Sequence, residues 1–545
     1  MKRLFFLITT TLLTLFLLSN SNREKDYFEI SKNLRIMGSV YEKINNFYVD
    51  EIIPGQIMKK GIDAMLQSLD PFTVYISESE IEDFRFTTTG QYGGIGASIK
   101  KANGHIIITD MFENSPAHKS GLKTGDKLIE IDNKPIKQKT IQEIGDFLKG
   151  PAESMLELKI NRKEKVKNII IKREEIKLPT VPLHKKINSK TGYIKLTSFT
   201  QTASQETQTA LLELKEKNIS NLVLDLRSNG GGLLNEAVKI VNFFIPKGQL
   251  VVTTKSRIPE MNRNYFTTQN PIDTTLKLIV LIDENSASAS EIVAGSLQDL
   301  DKAVIVGFSS YGKGLVQQTK KLSFGAQIKL TVAKYYTPSG RCIQKIDYSN
   351  KTNQGKSEKI ADSLVNTFFT RSGRKVYDAR GIEPDKTISM EYYSVITEEL
   401  LYNDIIFDYV TNEYSNVDSI APPEKFKINQ REYDKFKSFV SLKNITYQTE
   451  TNFHLKELKK VAEKEKYFNE NKQLFNKLDS VFSVNVEKDL DKFQDEITYF
   501  IENEIVSRVY FQKGRIEASL NKDPYILECY KIFNNDSLYY SILGL

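Results

Sequence analysis

The chain predicts a multidomain α/β protein with helical regions at both ends, and three observations carry that prediction. Its 545 residues exceed what one hydrophobic core organises. Residues from about Gly192 to Ser389 alternate β-like runs with helical spacing, the pattern of a sheet flanked by helices. The segments before about Thr88 and after about Glu391 instead repeat their apolar residues at helical spacing.

The elements follow in order. Lys2 and Arg3, the fifteen-residue apolar run Leu4 to Leu18, and small polar residues up to about Asn22 form the three-part pattern of a secretory signal. The run falls short of the ~20 residues that span a bilayer comfortably, so export with cleavage is expected. Residues 24–88 carry helical spacing (Leu34, Met37, Tyr41, Ile44; then Ile57, Ile62, Leu66), broken at Asp70-Pro71. Residues 89–173 change to short β-like runs with one helix over Ile141 to Leu148. The α/β region spans 174–390, and residues 391–545 are expected to form a C-terminal helical domain with nothing chemical in it.

Charge and cysteine content exclude several classes. The net charge of +7 comes from 76 basic and 69 acidic residues spread along the chain, without a block that would track a phosphate backbone, so nucleic acid is not an expected partner. Cys342 and Cys529 lie in no metal-binding spacing, so no metal or other cofactor is expected, and a bridge between the two stays open. His105, His118, His184 and His454 all fall outside 192–389, which removes a Ser-His-Asp triad from the α/β region.

Two segments point to chemistry all the same. Ser286, Ser288 and Ser290 stand where the apolar run Leu278 to Ile282 turns into a helix, beside backbone N–H groups that a helix start leaves unpaired. A Ser-rich helix start alone is usually capping. The second segment is Tyr311-Gly-Lys-Gly314, with Gln317 four residues after Lys313. Glycines permit close backbone approach, and a buried lysine can be neutral enough to take a serine's proton.

SASASE at 286–291 with YGKG following, LDPFTVYIS at 69–77, GQYGGIGASI at 90–99, LDLRSNGGG at 224–232, TPSGRCIQ at 337–344 and GIEPD at 381–385 together resemble the carboxyl-terminal processing peptidases. The resemblance covers about residues 34–388. It implies a ClpP/crotonase-type α/β serine protease core with an inserted PDZ domain. It assigns Ser288 as nucleophile, Lys313 as general base and Gln317 as the residue orienting Lys313. The oxyanion hole would be the N–H of Ala289 with that of Gly231 or Gly232. Glu291 is a secondary candidate, either a contact of the lysine or a solvated helix-start residue. Ser228 and Gly230 replace the asparagine and proline more usual in the Gly turn, so a looser turn is expected there.

Residues 90–172 resemble a PDZ domain through Gly93-Gly94-Ile95-Gly96, Ser115-Pro116-Ala117, Gly125-Asp126 and Asp132-Asn133. Such domains add an extended peptide to a sheet edge. The expected carboxylate binders are Tyr92, Gly93, Gly94, Ile95 and Gly96, with Ile95 and Ile99 shaping an apolar pocket. The reading is an exported endopeptidase, periplasmic or membrane-associated on that side, acting on proteins with exposed C-termini. Its partner expectations are a second copy through the helical regions and an adaptor protein. The competing reading is a catalytically silent exported PDZ scaffold.

Overall fold

The computed structural model of the protein describes residues 27–351, 355–389, 392–443 and 445–545. The signal-like segment and the 390/391 boundary lie outside them. The chain divides into two compact units.

The first unit comprises the chain up to Ser79 with Gln317–Thr331 and Tyr348–Lys356. Residues 27–47 are helical. A second helix, Pro54–Gln67, starts on a proline, whose missing N–H costs nothing at a first helical position. The break at Asp70-Pro71 is an Asx turn: Asp70 Oδ1 accepts from the N–H groups of Phe72 and Thr73, both at 2.8 Å. The strand Val74–Ile76 then pairs with residues 327–329.

In the second unit, a six-stranded sheet has the order Leu183–Lys186, Thr191–Lys195, Asn221–Asp225, Lys277–Ile282, Ala303–Gly307, Lys386–Thr387. The first pair is antiparallel and the others parallel. Parallel strands need crossovers, and the helices Ala203–Glu216, Leu234–Asn242 and Ala289–Asp299 lie between successive parallel strands. Alternation along the strands assigns their residues to two cores. Leu222, Leu224, Leu278, Val280 and Ile305 pack with Leu211, Ile240, Val293 and Leu297 of those helices. Val223, Ile279, Leu281, Val304 and Val306 pack instead with Ile526, Cys529, Ile532, Phe533 and Tyr539. The second face of the sheet is thus covered by the last two helices of the chain, Pro524–Phe533 and Asp536–Leu543. Burial on both faces is why the central strands read as unbroken apolar runs.

The β-rich insert holds a sheet ordered Ala97–Ala102, His105–Met111, Lys127–Ile131, Met155–Arg162, Lys165–Lys172. Its helix Ile141–Leu148 begins with a reciprocal capping box between Thr140 and Glu143. Helices from Val395 to Ser519 have their own core, built on Leu400, Tyr409, Phe436, Ile497 and Ile501. Cys342 and Cys529 are free thiols, so the open bridge is not formed.

Candidate active site

Ser288 sits at the junction of the strand Lys277–Ile282 and the helix Ala289–Asp299. Its backbone is at φ 56°, ψ −111°, a conformation that L-residues avoid and that persists only where surroundings impose it. Those surroundings are a set of buried polar bonds. Ser286 Oγ donates to the Leu226 carbonyl at 2.9 Å. The Asn229 carbonyl accepts from Ala287 N–H at 3.0 Å and from Ser290 Oγ at 2.8 Å. Tyr335 Oη donates to the Ser288 carbonyl at 3.2 Å.

The Gly turn is braced from the same residue. Asn229 is fully buried, and its side chain donates to the Leu196 carbonyl at 2.9 Å and accepts from Gly231 N–H at 2.9 Å. Asp283 accepts from both the N–H and the hydroxyl of Ser228. The looser turn expected from Ser228 and Gly230 is therefore held by side chains on either side of it. Gly231, at φ 99°, comes so close that a Cβ there would lie 2.8 Å from Ser288 Cβ and 2.9 Å from Ala289 N. Of the oxyanion candidates, Gly231 has committed its N–H to Asn229. Among the described residues, the N–H groups of Gly232 and Ala289 have no acceptor. Upstream, Asp225 anchors Arg227 and Lys195; burial alone would raise its carboxyl, but these cations hold it well below the usual carboxylate range.

Glu291 is the residue whose place the sequence left most open. It is fully buried rather than solvated. One oxygen accepts from the N–H of Ser288 at 2.7 Å and of Lys313 at 3.0 Å; the other accepts from Ser310 Oγ at 2.5 Å and Gly312 N–H at 2.7 Å. One carboxyl group thereby joins the serine turn to the lysine loop, through backbone. Burial pushes this carboxyl above the ordinary glutamate range, against the pull of its four donors. Lys313 is partly buried. Gly314 is pinned by Gln344, whose Oε1 accepts its N–H at 2.8 Å. Gln317 belongs to the first unit, where its Nε2 donates to Thr331 Oγ1 at 3.1 Å.

Asn229, Ser310, Gln344 and Asp283 hold the site and were not singled out in the sequence. The available signal was that each is a polar residue inside or beside a motif segment, where a buried polar group must find a partner.

In the β-rich insert, Tyr92, Gly93 and Gly94 form a strand opposite Ile176, Glu175 and Glu174. Gly93 O accepts from Gly150 N–H at 3.1 Å, in an approach that leaves no room for a Cβ. Ile95 is buried, its carbonyl accepting from Ala117 N–H, and Gly96 turns the chain at φ 71° into Ala97–Ala102. That strand pairs on one side only, with His105–Met111, and its other edge is open among the described residues. Ile95 and Ile99 pack in the same core as Ile144, Phe147 and Leu148 of the helix, the arrangement for a strand-adding peptide.

A strained serine at a strand-to-helix turn, the N–H groups of Gly232 and Ala289 and an edge strand beside a helix define a serine hydrolase with a peptide-binding module. Residues 190–352 match Peptidase family S41, residues 107–162 match the PDZ domain, and residues 396–533 match a family described as "Probable PDZ-protease, C-terminal helical domain". A carboxy-terminal-processing protease of Bartonella bacilliformis is 35% identical over 335 residues, covering 60% of this chain and 76% of that one. A "Probable CtpA-like serine protease" of Staphylococcus aureus is 33% identical over 317 residues, 57% of this chain and 62% of that one. A solved photosystem II D1 C-terminal processing protease is 26% identical over 56% of this chain and 89% of its own, at a TM-score of 0.35, too low for the overlay to add to the sequence relationship. The chain belongs to peptidase family S41, with the carboxy-terminal-processing proteases, and is a serine-type peptidase with a PDZ domain.

Proposed function

We propose that this chain is an exported endopeptidase that holds the C-terminus of a protein in its PDZ domain and cleaves near that end. Ser288 Oγ attacks the scissile carbonyl carbon while neutral Lys313 Nζ takes the hydroxyl proton, and the resulting ammonium returns that proton to the leaving amine. The acyl group on Ser288 is then removed by water activated in the same way. The N–H groups of Ala289 and Gly232 receive the oxyanion, a role that costs no reorganisation because both are already held in place.

The observation that carries this reading is the Glu291 carboxyl, which fixes Ser288 and Lys313 by their backbones from one buried point. A catalytically silent scaffold would have no use for a strained backbone at Ser288. The leader-like N-terminus supports export to the periplasmic side. Binding of a chain end in the PDZ domain serves as the gate, and an adaptor protein and a second copy of the chain remain partner proposals.

The test uses an unstructured protein substrate with an apolar C-terminal tail. Ser288→Ala and Lys313→Ala should each lower kcat/KM by about 10³-fold or more while leaving melting temperature and PDZ peptide binding intact. Amidating the substrate's terminus should weaken binding of wild type. Unchanged turnover in either variant would remove the dyad, and equal cleavage of tailed and tailless substrates by a chain lacking residues 90–172 would remove the gate.

A further inference from the structure

Two hollows meet along the helix Gln494–Ser519 of the C-terminal helical domain. The first, about 560 Å³, lies between that domain and the β-rich insert, where Lys100 of the strand Ala97–Ala102 lines it with Asp404, Phe407 and Arg515. The second, about 630 Å³, lies between the same domain and the peptidase core, where Arg227, Phe308 and Tyr525 line it. Tyr393, Tyr499 and Ser519 line both, so the two hollows adjoin.

The first hollow begins at the edge that accepts a peptide. A chain end whose carboxylate is held over Tyr92 to Gly96 and which pairs with Ala97–Ala102 runs antiparallel to that strand, so its upstream residues pass Lys100. Lys100 Nζ lies 4.1 Å from the Phe407 ring centroid and pairs with Asp404, both in the helical domain. The helix Gln494–Ser519 touches the insert again through Phe511, whose ring centroid is 4.9 Å from that of His118, and through Arg515, 3.5 Å from Asp110. The second hollow ends at the catalytic turn. Arg227 immediately precedes the Gly turn, and Phe308 N–H donates to the carbonyl of Ile282, the last residue of the strand that leads to Ser288, at 3.2 Å. Both residues stand at the C-terminal ends of the parallel strands Asn221–Asp225, Lys277–Ile282 and Ala303–Gly307, the edge at which open α/β sheets bind ligands.

We propose that the two hollows form one groove that holds the unfolded stretch of substrate between the tail in the PDZ domain and the peptide bond at Ser288. This rests on the tail capture and cleavage proposed above, and it gives the C-terminal helical domain a part in them as the track for the chain. The stretch it takes is extended and apolar. The walls carry the rings of Phe407, Tyr499, Phe308 and Tyr525, against which apolar and aromatic side chains pack. Arg227 is already paired with Asp523, Lys100 with Asp404 and Arg515 with Asp110, so none of these cations is free to select an acidic segment. A groove joining two sites that one substrate occupies together suits a chain better than a small effector.

The experiment uses the full chain and an unstructured protein with an apolar C-terminal tail. A photoreactive benzoylphenylalanine placed at successive positions upstream of that tail and irradiated with the Ser288→Ala chain should cross-link first to Phe407, then to Tyr499 and Ser519, as the label moves towards the cleavage site. Ser519→Trp fills the junction of the hollows. It should lower kcat/KM on this substrate by about tenfold or more, mainly through KM, while a short C-terminal peptide binds with wild-type affinity. Gln512→Trp, exposed on the same helix, should cleave as wild type and melt at the same temperature as Ser519→Trp; should Ser519→Trp melt lower, the cross-links decide. Replacing the apolar residues of the upstream stretch with aspartate should also raise KM. Cross-links confined to residues outside these walls, or a Ser519→Trp chain with wild-type KM for the long substrate, would overturn the groove and leave tail capture and the dyad standing. Absence of tail binding or of turnover in wild type would remove that reading and the groove with it.

Discussion

Glu291 has its two oxygens filled by four donors in a place closed to solvent, so an isosteric amide cannot replace it: the NH₂ of glutamine would face N–H groups. Glu291→Gln should lower kcat about a hundredfold, equivalent to ~2.7 kcal/mol, and lower the melting temperature of the peptidase core, with PDZ peptide binding unchanged. The pH response has two signs. Protonation takes an acceptor from the clamp, so activity should fall as pH drops through the raised value of this carboxyl. Stability runs the other way. The folded chain holds this proton more tightly than the unfolded chain, so the group's contribution to stability declines as pH rises from the ordinary glutamate range through the raised value. A pH–rate profile and a pH–melting series on wild type separate the two, and a flat acidic limb would contradict the first. At this scale, the reactive residue types were readable because few side chains perform such chemistry. Glu291 was not, since a glutamate three residues into a helix has the same sequence pattern whether buried or wet.

The strand, tight turn and helix around Ser288 form a single device with the Gly turn packed against them. Gly231→Ala puts a methyl 2.6 Å from the Ala287 carbonyl in a backbone conformation that favours glycine. Because that methyl would also lie 2.9 Å from Ala289 N, it crowds one of the two oxyanion donors; we expect a cost of about 10²–10³-fold in kcat, with little change in affinity for a C-terminal peptide, and a near-wild-type kcat would mean that the turn relaxes freely. Elements were legible wherever period and punctuation agreed. The helix Ile141–Leu148 and the strand Lys127–Ile131 have the bounds their spacing suggested, because a capping box and flanking turns mark their ends. Tyr92 to Gly94 stand in a glycine-bearing segment, and glycines are poor strand formers. They pair as a strand because only glycine lets Gly150 approach so closely.

The last helices of the chain, more than two hundred residues beyond the central strands they cover, complete the peptidase core. Ending the chain after Lys522 would expose Val223, Ile279, Leu281, Val304 and Val306, at roughly 1.5–3 kcal/mol for each large aliphatic side chain. We expect loss of soluble protein rather than a trimmed active enzyme; a truncated chain with wild-type melting temperature would refute this. Further contacts bind the helices after Val395 to the β-rich insert. Lys163 and Lys123 donate to the carbonyls of Asn412 and Ser415 at the end of one helix, both at 2.8 Å, and Lys100 pairs with Asp404. By itself the sequence determined the fold class, the family and the residue types able to act as nucleophile and base, since these depend on local period and on scarce chemistry at short spacing. Tertiary structure alone decided that Glu291 is a buried clamp, that Asn229 braces the Gly turn and that the C-terminal helices close the sheet. Each of these depends on which distant segments desolvate one another, and no local spacing encodes that.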